Sequence, residues 1–215
     1  MSRTLVLFVV AASVGMAGCG GGAREVSSAP EALVRHPVTT QMWQTAKTLE
    51  SVAAPAFRLK DASGKEYDFA SLSKGRPVVL YFIKDGCPCS IDVEPLLQKM
   101  AKSYGDAVQF VGVLNGGPEV AAKWQKVART PYPVLLDPEV KTMRAFKAER
   151  STYTALIKPD GTIVRLWPGY SADMLKELNA AVAKQANVDA KPYDPAYAPQ
   201  RITSGCSFYT PDPKA

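Results

Sequence analysis

Apolar positions along the chain group into runs of two periods. Residues 77–84, PVVLYFIK, form an unbroken β-branched and aromatic run, as in a strand buried on both faces, and AVQFVGVLN at 107–115 forms a second. Between them, SIDVEPLLQKMAKSY places Ile91, Val93, Leu96, Leu97 and Met100 near one helical face, with a kink predicted at Pro95. PEVAAKWQKVAR predicts another helix, YPVLLD a short strand, and PEVKTMRAF a helical turn or two. TYTALIKPDGTIVRLWPG reads as two strands joined across Pro159, Asp160 and Gly161, and ADMLKELNAAVAKQA as an amphipathic helix. Upstream, AFRLKDASGKEYDF gives two short strands around a turn at 62–65, and SLSKGRP reads as a connector. The order β-β-β-α-β-α-β-α-β-β-α predicts an α/β domain. A parallel βαβ unit and a terminal antiparallel hairpin make its central sheet mixed, with helices flanking it.

Outside this core the pattern weakens. Residues 20–50 read mainly as spacer, with a short helix in TTQMWQTAKTLESVA. They hold the single histidine, His36, which in such a setting is expected to be solvated rather than catalytic. From Asp189 onward there are five prolines and little periodicity, which predicts an extended tail carrying Cys206.

The first residues add a compartment. Arg3, an apolar run over 5–14 and small residues after it have the layout of a secretory signal. Met16, Ala17, Gly18 and Cys19 resemble a bacterial lipobox, which implies lipidation of Cys19, a membrane partner and a protein facing the periplasm or exterior. The glycines at 20–22 suit a flexible tether. Expected boundaries are therefore signal peptide 1–18, tether 19–53, domain 54–187 and tail 188–215. The net charge of +6 comes without a basic block interleaved with aromatics, so nucleic acid is not an expected partner.

With Cys19 set aside, an exported chain is left with Cys87, Cys89 and Cys206. Three thiols cannot all pair with one another, which favours redox chemistry over a purely structural framework. Cys87 and Cys89 sit in DGCPCSIDVEP, at the turn from strand to helix. Pro88 suits the first helical position, which makes Cys87 the N-cap. Its sulfur is expected to face the N–H groups of Cys89 and Ser90, where the helix dipole favours a reactive thiolate.

These features together resemble the thioredoxin-like superfamily, in its redoxin branch with the AhpC/TSA (peroxiredoxin-like) and TlpA-type proteins. The resemblance runs over residues 54–186 and rests on PAFRLKDASGKEYDFASLSKGRPVVLYF, the cysteines, YPVLLDPE and ALIKPDGTIVR. It implies a thioredoxin-like fold and a thiol-dependent oxidoreductase, with no cofactor. Its partners would be a thiol reductant, a disulfide-bearing protein or a small peroxide. TlpA-type proteins place a helix proline eight residues after the first cysteine of C-x-x-C, as Pro95 stands to Cys87. In that register Ser90 holds the second cysteine's place and Cys89 has no counterpart. The competing register matches Gly86 and Cys89 to the two cysteines.

Some family positions differ. Lys84 and Leu80 stand where peroxiredoxins carry Thr or Ser and Pro, and Thr152 stands near the site of the peroxiredoxin arginine and the thioredoxin cis-proline. Lys84 and Arg150 are candidates for positive charge near the sulfur. TSGCSFY resembles the Gly-Cys tail segment of some redoxins, which makes Cys206 a candidate partner for Cys87. Residues i and i+2 of a helix diverge by about 200°. A Cys87–Cys89 bond therefore requires Cys87 to stay outside the helix. Either Cys206 or Cys89 is expected to resolve a bond made by Cys87. Alternatives of another class are a Cu(I) site or metallochaperone built on Cys87, Pro88 and Cys89, and a non-catalytic binding module.

Overall fold

A computed structural model describes residues 36–195 and 197–209. Cys19 and the expected signal segment lie outside them.

The sheet is built around β3 (Val78–Ile83), whose six residues are each 1% exposed or less. It pairs in parallel with β4 (Gln109–Leu114) and antiparallel with β6 (Thr154–Ile157). Outward from β4 come β5 (Val134–Leu136), β1 (Leu59–Asp61) and β2 (Glu66–Tyr67); outward from β6 comes β7 (Ile163–Trp167). The order β2-β1-β5-β4-β3-β6-β7 is a mixed seven-stranded sheet with the thioredoxin-like arrangement. Gly161, at φ 87°, closes the β6–β7 hairpin, and the Asp160 carboxylate accepts the Thr162 amide.

Strand alternation divides the core into two layers. Val79, Tyr81 and Ile83 face α3 (Pro88–Tyr104), α4 (Pro118–Ala128) and α6 (Ala172–Ala186), packing with Leu97, Met100, Trp124, Leu175 and Leu178. Val78, Leu80 and Phe82 face the opposite layer, with α1 (Thr40–Lys47), α2 (Phe69–Ser73) and α5 (Lys141–Ala145). In the stretch read mainly as spacer, Met42 and Ala46 of α1 and the following Leu49 are buried in this second layer. Each fully buried Met or Leu contributes about 1.5–3 kcal/mol.

Two elements differ from expectation. The connector SLSKGRP and the residues before it hold α2, because the Asp68 side chain accepts the Ser71 amide while Ser71 Oγ accepts the Asp68 amide. The tail is extended, yet it folds back over the domain. The Tyr193 hydroxyl donates to the Leu96 carbonyl, and Thr203 exchanges backbone hydrogen bonds with Tyr170 across 2.8 and 2.9 Å. That approach requires a glycine at 169, where an added Cβ would lie 2.4 Å from the Thr203 carbonyl oxygen.

Candidate active site

β3 ends at Ile83, and Gly86, at φ 70°, turns the chain into α3. Cys87 is the N-cap in extended geometry and Pro88 is the first helical residue, as the spacing predicted. Ser90 Oγ accepts the Lys84 amide and its carbonyl accepts the Tyr81 hydroxyl, so the residue in the second cysteine's place braces this turn. Further along α3, Glu94 is buried. It accepts from Thr130, Tyr132 and Gln98, while burial pushes its carboxyl above the usual range.

The donors around Cys87 differ from those expected. Its side chain makes no capping bond to the helix N–H groups. Instead, Cys87 Sγ accepts from Ser151 Oγ at 3.2 Å and from the Cys206 amide at 3.2 Å. The thiols of Cys89 and Cys206 also favour the ionised form of Cys87. The Cys89 thiol does most to lower the Cys87 pKa, burial opposes it, and the Cys206 thiol, Ser151 hydroxyl and Cys206 amide lower it further, to about 4. The direction expected from the helix dipole holds, but its source is a ring of donors drawn from three parts of the chain. Cys87, Cys89 and Cys206 are each buried thiols.

Ser151 is presented by a constrained loop. Thr152 takes φ 68°, an unfavourable value for a β-branched residue, and donates its amide to the Phe82 carbonyl at 2.9 Å. No cis peptide occurs among the described residues. Ser151 pairs with the tail in antiparallel fashion: its amide donates to the Cys206 carbonyl, and the Gly205 amide donates to the Ser151 carbonyl, both at 3.0 Å. Only glycine fits at 205, because an added Cβ would lie 1.9 Å from Ser151 Oγ.

Lys84 and Arg150, considered above as charges for the sulfur, hold the tail on either side of Cys206. Lys84 Nζ donates to the Ser207 carbonyl at 2.7 Å, and Arg150 Nη1 to the Gly205 carbonyl at 3.2 Å. Neither Ser151 beside Cys87 nor His36 beside Cys206 is expected from the sequence. The Nε2 of His36 lies 3.7 Å from Cys206 Sγ, and its backbone carbonyl accepts the Ser204 amide at 2.7 Å. A lone histidine 170 residues away carries no local signal of that contact.

No group of three or more His, Cys, Asp or Glu able to hold a metal ion occurs among the described residues. No helix among them is long and apolar enough to cross a membrane.

Known proteins place this arrangement in context. The chain is 29% identical over 122 residues to the thiol-disulfide oxidoreductase ResA of Bacillus subtilis (strain 168), a match covering 56% of this chain and 68% of that protein. In fold it is similar to a putative thiol:disulfide interchange protein DsbE from Chlorobium tepidum. The TM-score there is 0.59 at 20% identity, covering 64% of this chain and 97% of the other. It is similar also to peroxidoxin BcpB from Mycobacterium tuberculosis, with a TM-score of 0.55 at 21% identity over 63% and 96% of the two chains. The AhpC/TSA family matches residues 51–166, a stretch that holds Cys87, Cys89 and Ser151 and leaves out His36 and Cys206. Spanning more than half of the sequence, that match shows that the chain belongs to the AhpC/TSA family, as a thiol-dependent oxidoreductase of thioredoxin-like fold.

Proposed function

We propose that the protein is a thiol–disulfide oxidoreductase in which Cys87 attacks the substrate and Cys206 resolves the bond. The observation that carries this reading is the contact of the Cys206 amide with Cys87 Sγ at 3.2 Å. A thiolate held by hydrogen-bond donors is the attacking species in disulfide exchange. Attack on a substrate disulfide releases one thiolate and leaves a mixed disulfide on Cys87. Cys206 then displaces the second half, so a Cys87–Cys206 disulfide forms as the substrate is reduced to two thiols. A separate reductant restores the pair. Cys89 acts chiefly as a hydrogen-bond donor to the thiolate.

Cys87 is 1% exposed beneath the tail, so residues 203–208 lift from Lys84 and Arg150 before a bulky substrate enters. The edge that Ser151 offers to Gly205 and Cys206 suits an extended, disulfide-bearing polypeptide, which would add by main-chain pairing. Disulfide exchange is preferred to peroxide reduction because the Arg150 guanidinium donates to the tail and not to Cys87 Sγ. The signal-like pattern of residues 1–18 and the lipobox-like Met16, Ala17, Gly18 and Cys19 support a reading in which this chemistry runs outside the cytoplasm on a lipid anchor at Cys19.

Turnover assays separate the readings. Wild type should reduce a disulfide-bearing protein faster than it consumes hydrogen peroxide, and Cys87→Ser should do neither. Peroxide consumption as the faster reaction would reverse the substrate assignment. Full activity in Cys87→Ser would remove the nucleophile.

A further inference from the structure

Resolution by Cys206 poses a proton problem that the site itself answers. In the resting site Cys206 lies against the Cys87 thiolate, its amide donating to Cys87 Sγ at 3.2 Å. Once Cys87 carries a mixed disulfide, that anionic acceptor is gone, while the buried Cys206 must lose its proton to attack. Lys84 and Arg150, the cations flanking it, donate to the carbonyls of Ser207 and Gly205 and can only donate. His36 Nε2, 3.7 Å from Cys206 Sγ, is within reach of the thiol proton and accepts when the imidazole is neutral.

We propose that His36 is the catalytic acid–base of Cys206, acting in the resolving step and not on Cys87. This assignment rests on Cys206 being the resolving thiol. The backbone supports it. The His36 carbonyl accepts the Ser204 amide at 2.7 Å, the His36 amide donates to Thr203 Oγ1 at 3.3 Å, and Pro37 bridges Thr203. The imidazole is thereby tied to the same tail segment that carries the thiol. Both halves of the couple lie outside residues 51–166, so the chain adds its own proton acceptor together with its own resolving thiol.

The step balances. Cys206–SH gives its proton to His36 Nε2, and its thiolate attacks Cys87 Sγ. The Cys206–Cys87 bond forms, the bond from Cys87 to the substrate sulfur breaks, and the electron pair leaves with the substrate thiolate. In the reverse direction the imidazolium returns the proton to Cys206 when a thiol reductant attacks Cys87.

The test uses the aromatic disulfide dithiobis(nitrobenzoate) on the reduced full-length protein. Attack by Cys87 releases the first aryl thiolate, and displacement by Cys206 releases the second. His36→Ala should leave the first phase unchanged, which also reports an intact site, and slow the second about tenfold or more. Free imidazole, entering the space vacated at this half-buried position, should restore much of the second-phase rate. A second phase at the wild-type rate, or a slowed one that imidazole does not recover, would overturn the assignment. A second equivalent released as fast from Cys206→Ser would instead overturn the Cys87–Cys206 pairing, and the role of His36 with it.

Discussion

The amide of Cys206 donates to Cys87 Sγ across 3.2 Å, although the two residues are 119 positions apart. Sulfur and tail are therefore coupled: the segment that stabilises the thiolate is also the one that carries a second thiol. Seating the tail depends on Gly205, which lies against Ser151 where no side chain fits. Gly205→Val should unseat residues 203–208, withdraw the Cys206 amide and raise the Cys87 pKa. Thiolate absorbance followed across a pH titration measures the change, and an unaltered midpoint would contradict the coupling.

Ser151 supplies a neutral hydroxyl to a charged acceptor, a hydrogen bond worth about 1.5–3 kcal/mol. Ser151→Ala should therefore raise the Cys87 pKa by about one to two units, since one unit corresponds to about 1.4 kcal/mol. The pH dependence of Cys87 alkylation by iodoacetamide reads this directly. A midpoint unmoved from wild type would show that the hydroxyl contributes nothing to the anion.

Cys89 makes the largest single contribution to holding Cys87 ionised. A hydroxyl can replace the thiol as donor, whereas a methyl group cannot. Cys89→Ser should accordingly keep the Cys87 pKa depressed and still form the Cys87–Cys206 disulfide, while Cys89→Ala raises the pKa. Loss of the disulfide in Cys89→Ser would return Cys89 to the role of resolving thiol.

The depressed Cys87 pKa has a signature in stability. Its folded value, about 4, lies below the ordinary value of 9.0. Ionisation therefore stabilises the fold fully above about pH 9, progressively less as pH falls, and not at all below about pH 4. Glu94, raised by burial, acts in the opposite sense: its contribution is present at acid pH and lost as pH rises through its folded pKa. Subtracting the reduced Cys87→Ser protein from reduced wild type isolates the cysteine. The difference in unfolding free energy from urea titrations should grow steadily with pH between those limits. A flat difference would contradict an ionised Cys87.

The central strands, the hairpin at Gly161 and the N-cap position of Cys87 were legible in the sequence because each rests on local signals: apolar runs, turn residues and a proline at the first helical position. The helix at Phe69–Ser73 was not, since its capping exchange between Asp68 and Ser71 is a polar signal inside a stretch read as strand and connector. The donors of Cys87 were not legible either. Ser151 and Cys206 reach the sulfur through backbone pairing of a tail that has no periodicity, and His36 reaches Cys206 from the other end of the chain. Seating such a segment depends on small residues at close approach, Gly169 and Gly205, whose meaning appears only when the facing strand is known.

The claim on which the rest depends is that Cys87 and Cys206 form the working pair. Peptide mapping by mass spectrometry, after one turnover with a limiting amount of disulfide substrate, tests it most directly. A single intramolecular Cys87–Cys206 cross-link is expected, with Cys89 still alkylatable. A Cys87–Cys89 cross-link, or all three thiols recovered unlinked after substrate has been reduced, would contradict it.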